Sequence, residues 1–177
     1  MNTKKMRYVW FLVILCIFCL TLFLARTRSK VEMRNRIYHQ WNEHFVVSKG
    51  KESYVRTTND SNQTVVLSEA QSYGMLITVA AAEKGQAQQA DFDRLYHYYL
   101  NHRLEGTQLM SWKQTIRNGK AKDEDHNATD GDLYIAYALL KAAQQWPKQA
   151  KDYQAQAKAI LEDILAHNYN EETGVLT

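Results

Sequence analysis

Two helical segments without a polar face constrain the fold of this chain more than any other feature of its sequence. Residues 73–82 read YGMLITVAAA, and residues 130–146 read DGDLYIAYALLKAAQQW. A helix that is apolar on nearly every side must be surrounded by other parts of the protein. With one proline and seven glycines among 177 residues, the chain is also expected to be mostly helical.

Amphipathic segments alternate with the two apolar ones. Apolar side chains recur at helical spacing between Asp91 and His102, and the segment Gln149 to His167 carries a single apolar stripe. This order is typical of an α/α toroid, in which an outer ring of helices covers an inner ring. A plain four-helix bundle would make all its helices amphipathic. The pattern therefore predicts an all-α fold that is part of a toroid.

An uninterrupted apolar run precedes these helices. It extends from Tyr8 to Ala25, and as a helix it would be about 27 Å long, close to the thickness of the hydrocarbon layer of a membrane. No small-residue cleavage site follows, because Arg26 comes directly after Ala25. We predict that residues 1–30 are a transmembrane signal-anchor and that residues 31–177 form a domain outside the cell membrane. Cleavage of the segment, giving a secreted domain, is the alternative.

Charge and cysteine usage exclude several classes of function. The first thirty residues carry six basic side chains and no acid, which leaves 16 basic and 19 acidic side chains in the rest. That balance argues against nucleic acid as a partner. Both cysteines, Cys16 and Cys19, lie in the apolar run, so the domain offers no thiol chemistry. A calcium-loop register starting at Asp123 fails at Ala128 and Tyr134, and we predict neither metal nor cofactor.

Each apolar helix begins with an acidic residue. Ser68 and Gln71 have the spacing of a capping box, and Glu69 follows the predicted N-cap Ser68. Asp130 likewise follows the predicted N-cap Thr129. If the two helices run in the same direction, both carboxyl groups emerge on one face. They are then either a paired-carboxylate site in an interior cleft or ordinary helix-end acids, each worth about 0.3 to 1 kcal/mol.

The two acid-bearing segments resemble a known family. Residues 68–75 read SEAQSYGM and residues 128–146 read ATDGDLYIAYALLKAAQQW, and they are similar to the acid-bearing and signature segments of glycoside hydrolase family 8. The resemblance covers about Trp41 to Thr177. It implies an (α/α)6 toroid that hydrolyses a β-1,4-linked polysaccharide, namely a glucan, chitosan or xylan, with inversion. Ala70 departs from the glycine that is usual beside the acid.

The resemblance also implies roles for individual residues. Glu69 matches the general acid that protonates the leaving glycosidic oxygen, and Asp130 matches the acid that holds the sugar at the cleavage point. Trp112 matches an aromatic platform for a sugar ring, with a loop anchor packed on the core as the alternative. Tyr73 and Asp132 are expected to bind substrate in the same cleft.

The predicted helices are too few for a whole toroid of this family. Residues 31–177 hold far fewer than the twelve helices of an (α/α)6 toroid, and in the family the catalytic base lies downstream of the segment that matches Asp130. The sequence therefore looks like the N-terminal part of a glycosidase. A non-catalytic, membrane-anchored helical protein that binds a glycan or serves as a scaffold is the alternative.

Overall fold

Helices dominate the computed structural model, which describes residues 3–58 and 62–176. Short strands join the helices, and the prediction of a mostly helical chain is confirmed. The elements in chain order are α1 (Thr3–Phe45), β1 (Val46–Lys49), β2 (Glu52–Val55), β3 (Thr64–Leu67), α2 (Ser68–Ala82), α3 (Gln89–Asn101), β4 (Lys113–Arg117), β5 (Lys120–Asp123), α4 (Thr129–Gln145), a 3-10 turn (Pro147–Gln149), α5 (Ala150–His167), β6 (Tyr169–Asn170) and β7 (Val175–Leu176).

The chain divides into two compact units after Gln40, within helix α1. Met6–Phe45 is long and apolar enough to cross a membrane, and none of its most apolar stretch is buried by protein. The predicted boundary at residue 30 lies inside the same helix. Residues from Trp41 onward form the second unit, which contains the acid-bearing segments.

Helices α2 and α4 pack side by side, while α3 packs on α2 and α5 packs on α4. The predicted alternation of inner and outer helices is therefore present. The prediction that the inner helices are buried on all sides is wrong, because each leaves one stripe open. Tyr73 and Ile77 of α2 are exposed, as are Tyr134 and Tyr137 of α4. The remaining faces enclose a core, with fully buried members that include Met75, Phe92, Leu95, Ile135, Leu139 and Ile160.

The polar composition of residues 48–63 and the long connection over residues 104–128 predict two loops, but both segments contain strands instead. The first, residues 48–63, includes β2, which pairs with β1, although residues 59–61 lie outside the described chain. The second, residues 104–128, includes β4 and β5, which extend β3 into a three-stranded antiparallel sheet. Asn118 and Gly119 turn this hairpin with φ values of 49° and 73°. An Asn-Gly pair favours such a two-residue turn because both residues tolerate positive φ.

The predicted capping box of α2 does not form. Leu67 is the N-cap and provides no side-chain cap, and Ala128 is likewise the N-cap of α4. Gln71 is instead fully buried, where it accepts a hydrogen bond from the Val55 amide and donates to the carbonyls of Ser53 and Leu95. Burying an amide requires such partners. Gln71 therefore ties β2 and α3 to α2.

Candidate active site

The N-termini of α2 and α4 meet at a contact that only glycine allows. A Cβ at Gly131 would stand 2.3 Å from Ser68 Oγ and 3.1 Å from the Glu69 amide nitrogen. At the other end of the helices, Lys141 Nζ lies 3.6 Å from Glu83 Oε1. Because the N-terminal ends of the two helices meet and their C-terminal ends also meet, the helices run parallel. The acids in their first turns therefore open on the same end of the helix pair.

Glu69 lies on the exposed stripe of α2, next to two tyrosines. Its side chain is hydrogen-bonded to Tyr73, one helical turn later. The Tyr73 ring lies 5.1 Å from that of Tyr134 on α4, at an interplanar angle of 50°. Partial desolvation and the hydrogen bond with Glu69 raise the pKa of the Tyr73 hydroxyl. The sequence reasoning missed Tyr134, although it stands within the signature segment.

Asp130 is exposed in the first turn of α4, and its Oδ1 accepts a hydrogen bond from the Gly131 amide at 2.7 Å. This contact fixes the carboxylate beside the glycine that touches Ser68. The structure thus brings Glu69 and Asp130 to adjoining helix ends. Both carboxylates are accessible to solvent, as substrate-facing groups require.

Trp112 lies beside the start of α2, because its carbonyl accepts a hydrogen bond from the Ser68 amide at 2.9 Å. The ring stacks on His126 at 5.5 Å and 28°, and Lys113 Nζ lies 5.4 Å from its centroid. The indole ring is partly buried, and its Nε1 has no hydrogen-bond partner among the described residues.

Asp132 is predicted to contact substrate, but its side chain is fully buried in the structure. Its Oδ1 accepts the Met110 amide at 2.8 Å, and its Oδ2 accepts Asn127 Nδ2 at 2.8 Å. Burial raises the pKa of Asp132 to about 7, against the opposing effect of these two hydrogen bonds, and the negative charge of Asp130 raises it further. The carboxyl group thus holds the chain on both sides of the β4–β5 hairpin against α4.

The raised pKa of Asp132 predicts that the protein loses stability as pH rises from about 4 to about 7. The unfolded residue gives up its proton near its ordinary pKa of 3.8, whereas the folded residue keeps it until about pH 7. Folded protein therefore binds more protons in this window. We expect the free energy of unfolding to fall by about 1 to 4 kcal/mol.

Urea unfolding in an uncharged detergent, followed by tryptophan fluorescence at several pH values, measures this effect. Asp132→Asn cannot ionise, so its stability should fall less across the same window. Equal pH slopes for the parent and Asp132→Asn would contradict the assignment.

The structure brings together most of the residues that the sequence proposed. Glu69, Tyr73, Asp130 and Trp112 lie around the joined ends of α2 and α4, and Asp132 lies beneath them. Within residues 3–58 and 62–176, no three His, Cys, Asp or Glu side chains are grouped as metal ligands. The chemistry available to this arrangement is that of carboxyl groups, tyrosine hydroxyls and an aromatic face.

Comparison with known proteins identifies the arrangement. The model of Glycosyl hydrolases family 8 matches residues 12–177. The chain belongs to this family. Beta-glucanase of Niallia circulans is 34% identical over 141 residues, which are 78% of this chain and 34% of the relative. Endoglucanase C of Ruminiclostridium cellulolyticum is 32% identical over 130 residues, which are 72% of this chain and 27% of the relative.

Solved structures of two glucanases show the same fold over the matched part of the chain. The apo structure of Beta-1,3-1,4-glucanase from Paenibacillus sp. X4 has a TM-score of 0.66 and 30% identity, and the match covers 81% of this chain and 38% of that one. Endoglucanase Cel10 from Klebsiella pneumoniae has a TM-score of 0.60 and 28% identity, covering 75% and 39%. The predicted part of an (α/α)6 toroid is thereby confirmed. The chain spans about a third of the length of the curated relatives it matches.

Proposed function

We propose that the chain forms the acid-bearing part of a glycosidase that hydrolyses a β-linked polysaccharide. The observation that carries the proposal is the parallel pairing of α2 and α4, which sets Glu69 and Asp130 at one end of the helix pair. Helix-end acids that serve only the macrodipole would not need adjoining positions beside an aromatic loop. Membership of family 8 and the names of its glucanase relatives support the same activity.

Each residue takes a role that its surroundings allow. We assign Glu69 to proton donation to the leaving oxygen, with Tyr73 orienting its carboxyl, and Asp130 to holding the sugar at the cleavage point. Trp112 offers an aromatic face to a neighbouring sugar. Asp132 positions the hairpin and does not contact substrate. Inversion needs a further carboxylate about 6.5 to 9.5 Å from the acid to activate water, and we assign it to the part of the family fold that this chain does not span.

Product analysis tests this function. The extended enzyme consists of this chain followed, after residue 177, by the part of Niallia circulans Beta-glucanase that follows the aligned region. Release of reducing sugar by the extended enzyme is measured on glucan, xylan and chitosan. Inversion predicts that the first product carries the α configuration, which proton NMR reads during the first minutes. Release of the β anomer first would contradict inversion. Binding without any release would favour the non-catalytic alternative.

The apolar helix α1 suggests where the domain works. We propose that the segment Tyr8 to Ala25 anchors the chain in the cell membrane and that the second unit lies outside, where polysaccharide is found. Its length and its unburied apolar surface support this. Protease added to intact cells is expected to digest the domain. Protection of the domain until the cells are lysed would contradict the orientation.

A further inference from the structure

The outward face of the β3–β4–β5 sheet carries a row of basic side chains. In the antiparallel register of β4 and β5, Thr115 lies opposite Lys122 and Arg117 lies opposite Lys120. Side chains two residues apart on a strand share a face, so these four lie on one side of the hairpin. Together with Ala121 and Glu124 they line an open groove of about 400 Å³. We call this side of the hairpin the basic face.

On the other side of the hairpin β4 packs against the protein, whereas β5 is exposed along its whole length. Gln114 is fully buried, and Ile116 packs against the core. Asp123 Oδ1 lies 2.8 Å from His102 Nδ1 at the end of α3. Lys49 also donates a hydrogen bond to the Gly119 carbonyl at 2.7 Å. The hairpin is therefore held in place, with the basic face turned to solvent.

The basic face carries more positive than negative charge, with Glu124 as the acidic residue that lines its groove. Arg117 lies directly opposite Lys120, and like charges in this arrangement destabilise a hairpin. The Arg117 guanidinium donates only to the neutral Gln63 side chain among its described hydrogen bonds. In the part of the chain that the structure describes, no ion pair includes Arg117, Lys120 or Lys122. An external anion would complement this surface.

The basic face begins at the candidate active site. Lys113, the first residue of β4, pairs with Leu67, and Glu69 follows two residues later. Lys113 Nζ also lies close to the Trp112 ring. From Lys113 to Arg117 the strand extends for about 13 Å, which is longer than one sugar ring. A glycan chain resting on Trp112 can therefore continue along the basic face.

We propose that the basic face binds the anionic groups of a polysaccharide, so that the natural substrate is an acidic β-linked glycan. This inference rests on the proposed function and names the substrate class of that site. Cationic chitosan is disfavoured as a substrate, because it would meet Lys113, Arg117, Lys120 and Lys122. Anionic phospholipid is the other candidate occupant, but its headgroups would not account for the continuity of the face with Trp112.

Binding of two celluloses that differ in charge tests the proposal. Carboxymethylcellulose and hydroxyethylcellulose share a β-1,4-glucan backbone, and only the first is anionic. With the full chain in phosphatidylcholine nanodiscs at low salt, we expect tighter binding of carboxymethylcellulose, weakening as salt is added. Lys120→Glu with Lys122→Glu should weaken that binding about tenfold and leave hydroxyethylcellulose binding unchanged.

A matched variant controls for overall charge. Lys148→Glu with Lys151→Glu makes the same charge change at exposed positions beyond the opposite end of α4, and it should bind as the parent does. Lys120→Arg with Lys122→Arg should also bind normally. Equal carboxymethylcellulose affinity for the charge-reversed protein and the parent would overturn the proposal.

Two further outcomes separate the alternatives. Polyglutamate that binds the parent as tightly as carboxymethylcellulose would show a preference for any polyanion and would overturn the proposal. Phosphatidylglycerol in the nanodiscs can compete with carboxymethylcellulose for the parent protein. If it abolishes carboxymethylcellulose binding by the parent and has no effect on the charge-reversed variant, the basic face binds the membrane instead. Failure of the extended enzyme to cleave any glycan, with charge-selective binding intact, would count against the proposed function alone.

Discussion

Glu69→Gln is expected to lower the turnover of polysaccharide by the extended enzyme by a factor of about 10² to 10⁴. Glutamine keeps the shape of the side chain and can still contact Tyr73, but it has no proton to transfer. Binding of the polysaccharide should therefore change little. Reducing-sugar release at saturating substrate measures the loss, and affinity electrophoresis measures the binding.

The same helix supplies a matched control. Glu83 lies at the other end of α2, where it is partly exposed and pairs with Lys141. Glu83→Gln makes the identical chemical change away from the joined helix ends, so turnover should stay near that of the parent. Near-normal turnover of Glu69→Gln would reduce Glu69 to a helix-end acid.

Gly131→Ala is expected to be the most damaging substitution outside the acids. Its Cβ would overlap the Ser68 side chain and press on the Glu69 backbone, and backbone cannot yield as a flexible side chain can. Overpacking of this kind costs about 1 to 3 kcal/mol of stability. Separation of the helix ends would also displace Glu69 from Asp130, and a displacement of about 1 Å can lower turnover about 10²-fold. Thermal unfolding and turnover of the variant measure the two effects.

A second substitution tests whether the overlap is the cause. Ser68→Gly removes both Ser68 atoms that the new Cβ would meet, leaving only the 3.1 Å contact with the Glu69 nitrogen. In the Gly131→Ala background it should recover part of the stability and turnover, although alone it should be neutral or harmful. Additive effects of the two substitutions would show that the helix ends are not in the contact described.

Local patterns in the sequence were sufficient to predict the helices and to place one acid at the start of each inner helix, but not the parallel direction that brings the two acids together. Glu69 and Asp130 stand in first helical turns, and such positions follow from the sequence alone. The exposure of Tyr73 and Tyr137 was not predictable, because composition gives the apolarity of a face and not whether another element covers it. The β4–β5 hairpin was predictable from Asn118 and Gly119, a turn signal that the interpretation as a long loop overlooked.

Asp132 shows a different limit of the sequence. Its motif indicates a carboxylate near the site, but its burial depends on Met110 and Asn127, which approach from separate parts of the chain. The net charge of the domain likewise gave no indication of the basic face. The residues beyond the first thirty carry more acids than bases, yet the strand register gathers Arg117, Lys120 and Lys122 on one surface. Register is a property of the fold and not of the composition.

Hydrolysis of aryl glycosides with different leaving groups tests the assignment of Glu69 as proton donor most directly. A dinitrophenolate departs without protonation, whereas the sugar alkoxide of a natural glycan needs an acid. Glu69→Gln in the extended enzyme should therefore cleave a dinitrophenyl oligoglucoside at nearly the parental rate and lose polysaccharide hydrolysis, whereas Asp130→Asn should lose both. Equal losses on the two substrates for Glu69→Gln, or no loss on either, would contradict the assignment.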